Sequence, residues 1–187
     1  AFAAWNDQEQ SLTLVRDRLG VKPLFYSHQD SVLLFGSEPK AILAHPDFKA
    51  EVGAEGFAEI FAVGPARTPG HGIYRNMAEL KPGQFAIFDR NGLSIRTYWK
   101  LESHPHPDDI AATAAHVGQL LNDTAERQLV SDVPICTLLS GGLDSSALTA
   151  LAAAHYKESG KGPLHTFSVD YKDNDKHFKA NLFQPNS

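Results

Sequence analysis

The chain has 187 residues, 42% apolar and 21% charged, with 22 Asp+Glu against 17 Lys+Arg for a formal charge of −5. That length allows one full domain or parts of two, able to bury about 70% of the unfolded surface. The acidity excludes a broad basic face for nucleic acid, and the single cysteine, Cys136, excludes a disulfide scaffold and a cysteine-based zinc site. The longest apolar run, around Ala147–Ala154, is about half of what a membrane span needs. No basic-then-apolar leader opens the chain, so a soluble, cytoplasmic protein with a reduced thiol is expected.

Taken in order, the first hundred residues read as β with two short helices. Ala1–Trp5 already reads as buried strand, and Phe183–Ser187 stops without a closing element, so both ends are expected to be cut from something larger. Phe2–Asn6, Ser11–Arg16, Leu24–Ser27 and Ser31–Gly36 are short apolar or β-branched runs between turn clusters. Ser37-Glu38-Pro39 opens a helix that runs to Ala44, with proline tolerated in the first turn. A second helix, Ala54 to Val63, places Phe57, Ile60 and Phe61 on one face, and Gly64-Pro65 stops it. Gln84–Asp89 and Leu93–Trp99 flank Arg90-Asn91-Gly92, a turn signal that predicts a hairpin.

Residues 101–107 read as a linker held extended by two His-Pro pairs. Its His-x-His pair lacks a third ligand and is not read as a metal site. The pattern then changes. Asp108 to Leu129 is an amphipathic helix with Ile110, Ala114, Val117, Leu121, Ala125 and Leu129 on one stripe, leaving Glu126 and Arg127 on a solvated face. Val133–Leu139 is a continuous apolar strand, expected to be buried on both faces with Cys136 as a small core residue. Ser145–Ser159 is a helix and Leu164–Val169 a second strand, which together make a right-handed βαβ unit. One crossover helix cannot cover both faces of two parallel strands, so exposed edges and apolar faces are expected.

Ser140-Gly141-Gly142-Leu143-Asp144-Ser145 falls at the predicted strand–helix turn. The two glycines let the backbone turn sharply, so that the free N–H groups and positive dipole of the helix start face one small volume. Ser140, Ser145 and Ser146 add hydroxyls, which makes a cradle for phosphate or pyrophosphate. No lysine follows as in a kinase-type loop, the glycines are adjacent rather than spaced for a dinucleotide, and Leu138 stands where a hydrolase elbow needs glycine. Asp144 beside a polyphosphate makes sense through Mg²⁺, which favours carboxylate and phosphate oxygens.

The six-residue word resembles the signature of the ATP-pyrophosphatase, or PP-loop, family. Arg16-Asp17-Arg18-Leu19-Gly20-Val21-Lys22-Pro23-Leu24-Phe25-Tyr26, Ser37-Glu38-Pro39-Lys40-Ala41 and Glu79-Leu80-Lys81-Pro82-Gly83 resemble the later part of a class II glutaminase domain. With Ser131-Asp132-Val133-Pro134 and Thr166-Phe167-Ser168-Val169, the whole is similar to glutamine-dependent asparagine synthetases. That resemblance implies an α+β / α/β chain. Residues 1–100 would be the C-terminal part of an Ntn-type glutaminase sandwich, 101–107 the linker, and 108–187 the first βαβ unit of a parallel-sheet, Rossmann-like PP-loop synthetase domain.

The resemblance further implies ATP and Mg²⁺ as cofactors. Glutamine or ammonia and aspartate would be the small-molecule substrates, with no nucleic-acid or membrane partner, and a homodimer is allowed for the full-length enzyme. It assigns ATP binding to Leu138, Ser140, Gly141, Gly142, Leu143, Asp144, Ser145 and Val169, with Asp144 toward the metal. No catalytic residue is expected, because the nucleophilic cysteine would precede Ala1, and the acceptor pocket would lie beyond Ser187. Arg16 and Asp17 are expected as a buried pair organising the glutaminase core. The isolated chain is expected to fold poorly and to make no amide. A β-lactam synthetase-like or other amide-forming ligase, a tRNA-modifying PP-loop enzyme (disfavoured by the absent basic patch and Cys pairs) and a non-catalytic nucleotide-binding fragment are the alternatives.

Overall fold

The computed structural model describes residues 1–169, Lys172 and Lys176, and the chain divides into two compact units, Ala1–His104 and Pro105–Ser187. The expectation for Phe183–Ser187 lies outside the described residues. Among the described residues no helix is long and apolar enough to cross a membrane. The chain is a mixture of helices and sheets.

In the first unit the elements are β1 (Phe2–Asn6), β2 (Ser11–Val15), β3 (Phe25–Gln29), β4 (Val32–Gly36), α1 (Pro39–Leu43), α2 (Ala54–Ala58), β5 (Ala78–Glu79), β6 (Gln84–Asp89) and β7 (Gly92–Thr97). An antiparallel sheet has the order β1-β2-β6-β7, and a second sheet the order β4-β3-β5. Register is set by alternation. Leu14 opposite Ala86 puts both on the inner face, where they join Leu24 and Leu80 in one cluster against Tyr26 and Leu33 of the second sheet. Phe25, Ile42, Phe48 and Met77 form a second cluster that seats α1 on that sheet. Each large side chain so buried contributes roughly 1.5–3 kcal/mol. The predicted hairpin forms, with Asp89 paired to Gly92 and the Asp89 carboxylate accepting the Asn91 N–H at 2.7 Å.

Two expectations for this unit need correction, and the second helix adds a detail. β1 is exposed along its whole length, because it is an edge strand with only β2 beside it. The helix from Ala54 widens into a π-helical turn over Glu59–Val63; Phe57 and Phe61 share a face, their rings stacked 6.4 Å apart, and that face is open, Phe61 at 82% exposure. The residue α2 buries is instead Gly56. Arg16 is buried but does not pair with Asp17. Its guanidinium lies 3.1 Å from the buried Glu79 carboxylate and donates to the carbonyls of Leu80, Gly20 and Lys22, tying the end of β2 to β5. Asp17 accepts the N–H groups of Val21 (2.8 Å) and Lys22 (3.2 Å), and the Val21 bond foremost holds its carboxyl below the usual carboxylate range.

The second unit begins with α3 (Ile110–Gln128), capped by Asp109, whose carboxylate accepts the Ala112 N–H at 2.8 Å. Then come β8 (Cys136–Leu138), α4 (Leu143–Glu158) and β9 (His165–Phe167). β8 and β9 pair in parallel, with Leu138 opposite Phe167. The strand expected over 133–139 is thus shorter and is not buried on both faces. Cys136 is exposed rather than in a core. Ile110, Val117 and Leu121 of the apolar stripe are also exposed, and the buried residues of this unit among those described are Ala125, Leu129 and Ala152. The reason is that a two-stranded parallel sheet with one crossover helix has few neighbours to bury against. Exposed edges and apolar faces were expected for this unit, and they are present.

Candidate nucleotide-binding site

Within the second unit, β8 ends at Leu138 and the Leu139 N–H donates to the Phe167 carbonyl at 2.9 Å, the last tie to β9 before the chain turns. Residues 140–142 form a bend, and α4 starts at Leu143. Gly141 has φ +79°, the left-handed region, where an L side chain costs about 1–2 kcal/mol. Nothing stands where its Cβ would be, so backbone conformation rather than crowding selects glycine there. Gly142 is the helix N-cap and offers no capping side chain. The first helical bond runs from Ser146 N–H to the Gly142 carbonyl, so the amides of 143–145 precede the ladder and have no intrahelical acceptor.

Hydroxyls brace the bend from inside. Ser145 Oγ donates to the Gly142 carbonyl (3.1 Å) and accepts the Ser140 N–H (3.3 Å), and it lies 3.0 Å from Ser140 Oγ. With its proton committed to Gly142, Ser145 receives the Ser140 hydroxyl proton too. Thr149 Oγ1 donates to Thr137 Oγ1 at 3.2 Å and ties the second turn of α4 to β8. The sequence suggests these serines as hydroxyl donors to the cradle, and their brace across the bend was not anticipated. The signal was there, in two serines five apart across a glycine pair.

The structure brings Ser140, Gly141, Gly142, Leu143, Asp144 and Ser145 to one exposed corner at the C-terminal end of β8. Ser145 is half-buried and the others are open. Leu138 (75% exposed) ends β8, and Val169 (86% exposed) follows β9, so both flank the C-terminal edge of the parallel pair. That edge is where open parallel sheets take ligands. The donor set suits a polyphosphate: several backbone amides of one polarity at a helix start. Asp144 is the one carboxylate in the first turn, and no group of three or more His, Cys, Asp or Glu side chains converges among the described residues. Mg²⁺ held mainly by phosphate oxygens and one carboxylate requires no such group.

Comparison with known proteins places the two units in one frame. The family model for the glutamine amidotransferase domain matches residues 1–99, and that for asparagine synthase matches residues 116–182. The chain is 55% identical over its whole length to asparagine synthetase [glutamine-hydrolyzing] 3 of Bacillus subtilis (strain 168), covering 30% of that protein. It is 32% identical over 90% of its length to asparagine synthetase [glutamine-hydrolyzing] 2 of the same organism, covering 23% of it. The chain thus spans about a third or less of these relatives. Among solved structures, the glutamine phosphoribosylpyrophosphate amidotransferase of B. subtilis aligns over 91% of the chain and 33% of its own, at 14% identity and a TM-score of 0.28. The chain belongs to the glutamine amidotransferase domain family, with the bend at 140–142 inside an asparagine synthase segment that follows.

Proposed function

We propose that this chain supplies two stretches of a glutamine-hydrolysing asparagine synthetase. Residues 1–100 are the later part of an Ntn-type class II glutaminase sandwich, 101–107 a linker, and 108–187 the opening βαβ unit of a PP-loop synthetase domain. The reaction is ATP-dependent formation of asparagine from aspartate and glutamine-derived ammonia, giving AMP and pyrophosphate. The observation that carries this reading is the left-handed Gly141 bend, which gathers unladdered amides at the C-terminal edge of a parallel strand pair.

A carboxylate is a poor acyl donor, and activation by ATP gives its oxygen a leaving group. Negative charge then builds on the departing pyrophosphate, and fixed donors there lower the barrier because they need no reorganisation. The amides of Gly141 to Ser145 supply those donors, and the brace between Ser140 and Ser145 fixes them. Leu138 and Val169 flank the adenosine portion, and Asp144 holds Mg²⁺, which when bound neutralises phosphate charge.

The test is a chimera in which residues 1–187 replace the matching segment of the 55% identical B. subtilis relative. The expected result is glutamine-dependent asparagine formation, lost on Gly141→Val while glutamine hydrolysis persists. A chimera that folds and hydrolyses glutamine but makes no asparagine would contradict the reading.

A further inference from the structure

The first unit carries a preformed groove, about 420 Å³ in volume, that the proposed reaction leaves unused. Its walls are the 17–22 loop, the 81–84 turn and the segment that follows β7. All three are tightly held. Asp17 clamps the loop through the Val21 and Lys22 amides, and the Pro82 ring lies so close to Gly20 that a Cβ there would meet Pro82 Cγ at 2.7 Å. The Gln84 side chain accepts the Lys81 N–H and donates to Thr97 Oγ1. The Gly83 carbonyl accepts the N–H groups of both Tyr98 and Trp99.

The apolar part of the lining is Leu19, Pro82, Trp99 and Leu101, with Leu19 75% and Leu101 84% exposed. Apolar side chains displayed on a hydrogen-bonded backbone form the kind of patch that anchors a partner, since the backbone ordering cost is already met before binding. The charged part of the lining is cationic. Arg18, Lys81 and Lys100 line the groove and no carboxylate does, in a chain whose formal charge is −5. Lys100 is neutralised by Glu102 at 3.1 Å, whereas the cationic ends of Arg18 and Lys81 have no ion pair or hydrogen bond among the described residues.

We propose that this groove docks an acidic peptide segment bearing a bulky apolar side chain. The apolar group seats on Leu19, Pro82, Trp99 and Leu101, and flanking carboxylates face Arg18 and Lys81. Complementary charge steers and orients such a segment, and the buried apolar anchor supplies most of the affinity. A nucleic-acid strand is the poorer match, because two unpaired cations neutralise little of a phosphate backbone.

The experiment titrates the 187-residue chain, with Trp5→Phe to isolate the Trp99 signal, with the end-blocked hexapeptide Glu-Asp-Phe-Leu-Asp-Glu. Its Lys-Lys-Phe-Leu-Lys-Lys counterpart and an oligothymidylate are titrated in parallel. The expected result is a saturable fluorescence change with the acidic peptide only. Lys81→Glu and Arg18→Glu should each weaken binding about tenfold, and Leu19→Ser about fivefold, all at exposed positions that leave the fold intact. No saturable change, equal binding of the lysine peptide, binding indifferent to both charge reversals, or oligothymidylate binding tighter than the peptide would each overturn the proposal.

Discussion

The two units differ in how their geometry is held. In Ala1–His104, Leu14, Phe25, Ile42, Phe48 and Leu80 are buried in clusters, and a buried ion pair bridges the two sheets. In Pro105–Ser187 the buried side chains among the described residues are two alanines and Leu129, while both strand ends and the stripe residues Ile110, Ala114, Val117 and Leu121 of α3 are exposed. The second unit nevertheless builds a well-defined bend. It does so with short-range bonds among Ser140, Gly142 and Ser145, which need no surrounding core. A strand–helix bend can therefore be local chemistry, whereas a sheet needs neighbours.

Mutations can break this contrast, beginning with the largest effect. Arg16→Ala leaves the buried Glu79 carboxylate with only the longer Arg67 contact at 3.8 Å and strips the donors from the Leu80, Gly20 and Lys22 carbonyls, and should cost about 3 kcal/mol in urea unfolding. Arg127→Ala, which breaks the exposed pair with Asp123 on α3, should cost less than about 0.5 kcal/mol. Ile42→Ala should lose about 2–5 kcal/mol by opening a cavity in the second core cluster. Leu138→Ala, at an exposed strand end, should change stability by less than about 0.5 kcal/mol. Equal losses at Ile42 and Leu138 would mean that the second unit has a core the geometry does not contain.

Smaller effects sharpen the comparison. Gly141→Val should cost about 1–2 kcal/mol through the left-handed backbone alone, as measured by thermal unfolding. The Asp17 carboxyl, lowered by its bond from the Val21 amide, contributes stability that is present above its unfolded value. That contribution is lost as pH falls through the lower folded value. The unfolding midpoint should therefore drop on acidification below about pH 4, and Asp17→Asn should flatten that limb. An unchanged acid limb in Asp17→Asn would show that the loop clamp is not coupled to folding.

What could be read from the sequence was what neighbours in sequence decide. Arg90-Asn91-Gly92 fixes a hairpin by turn chemistry, and the three- and four-residue apolar steps from Ile110 to Leu129 mark α3. Ser140 to Ser145 encode a strand–helix bend within six residues. The outward turn of Phe57, Ile60 and Phe61 was not legible, because periodicity defines a face without saying what covers it. Nor was the Arg16–Glu79 bridge, whose partners are far apart in the chain and whose strand, β5, is only two residues long. Burial of Val133–Leu139 was misjudged for the same reason: an apolar run states a preference that only further strands and helices can satisfy.

Calorimetric titration of the chain with Mg-ATP, wild type against the Gly141→Val and Asp144→Ala variants, tests the bend most directly. Saturable one-site heat in the wild type, abolished by Gly141→Val and reduced by Asp144→Ala, is the predicted result. Identical heats from all three proteins would contradict a nucleotide site built on residues 140–145.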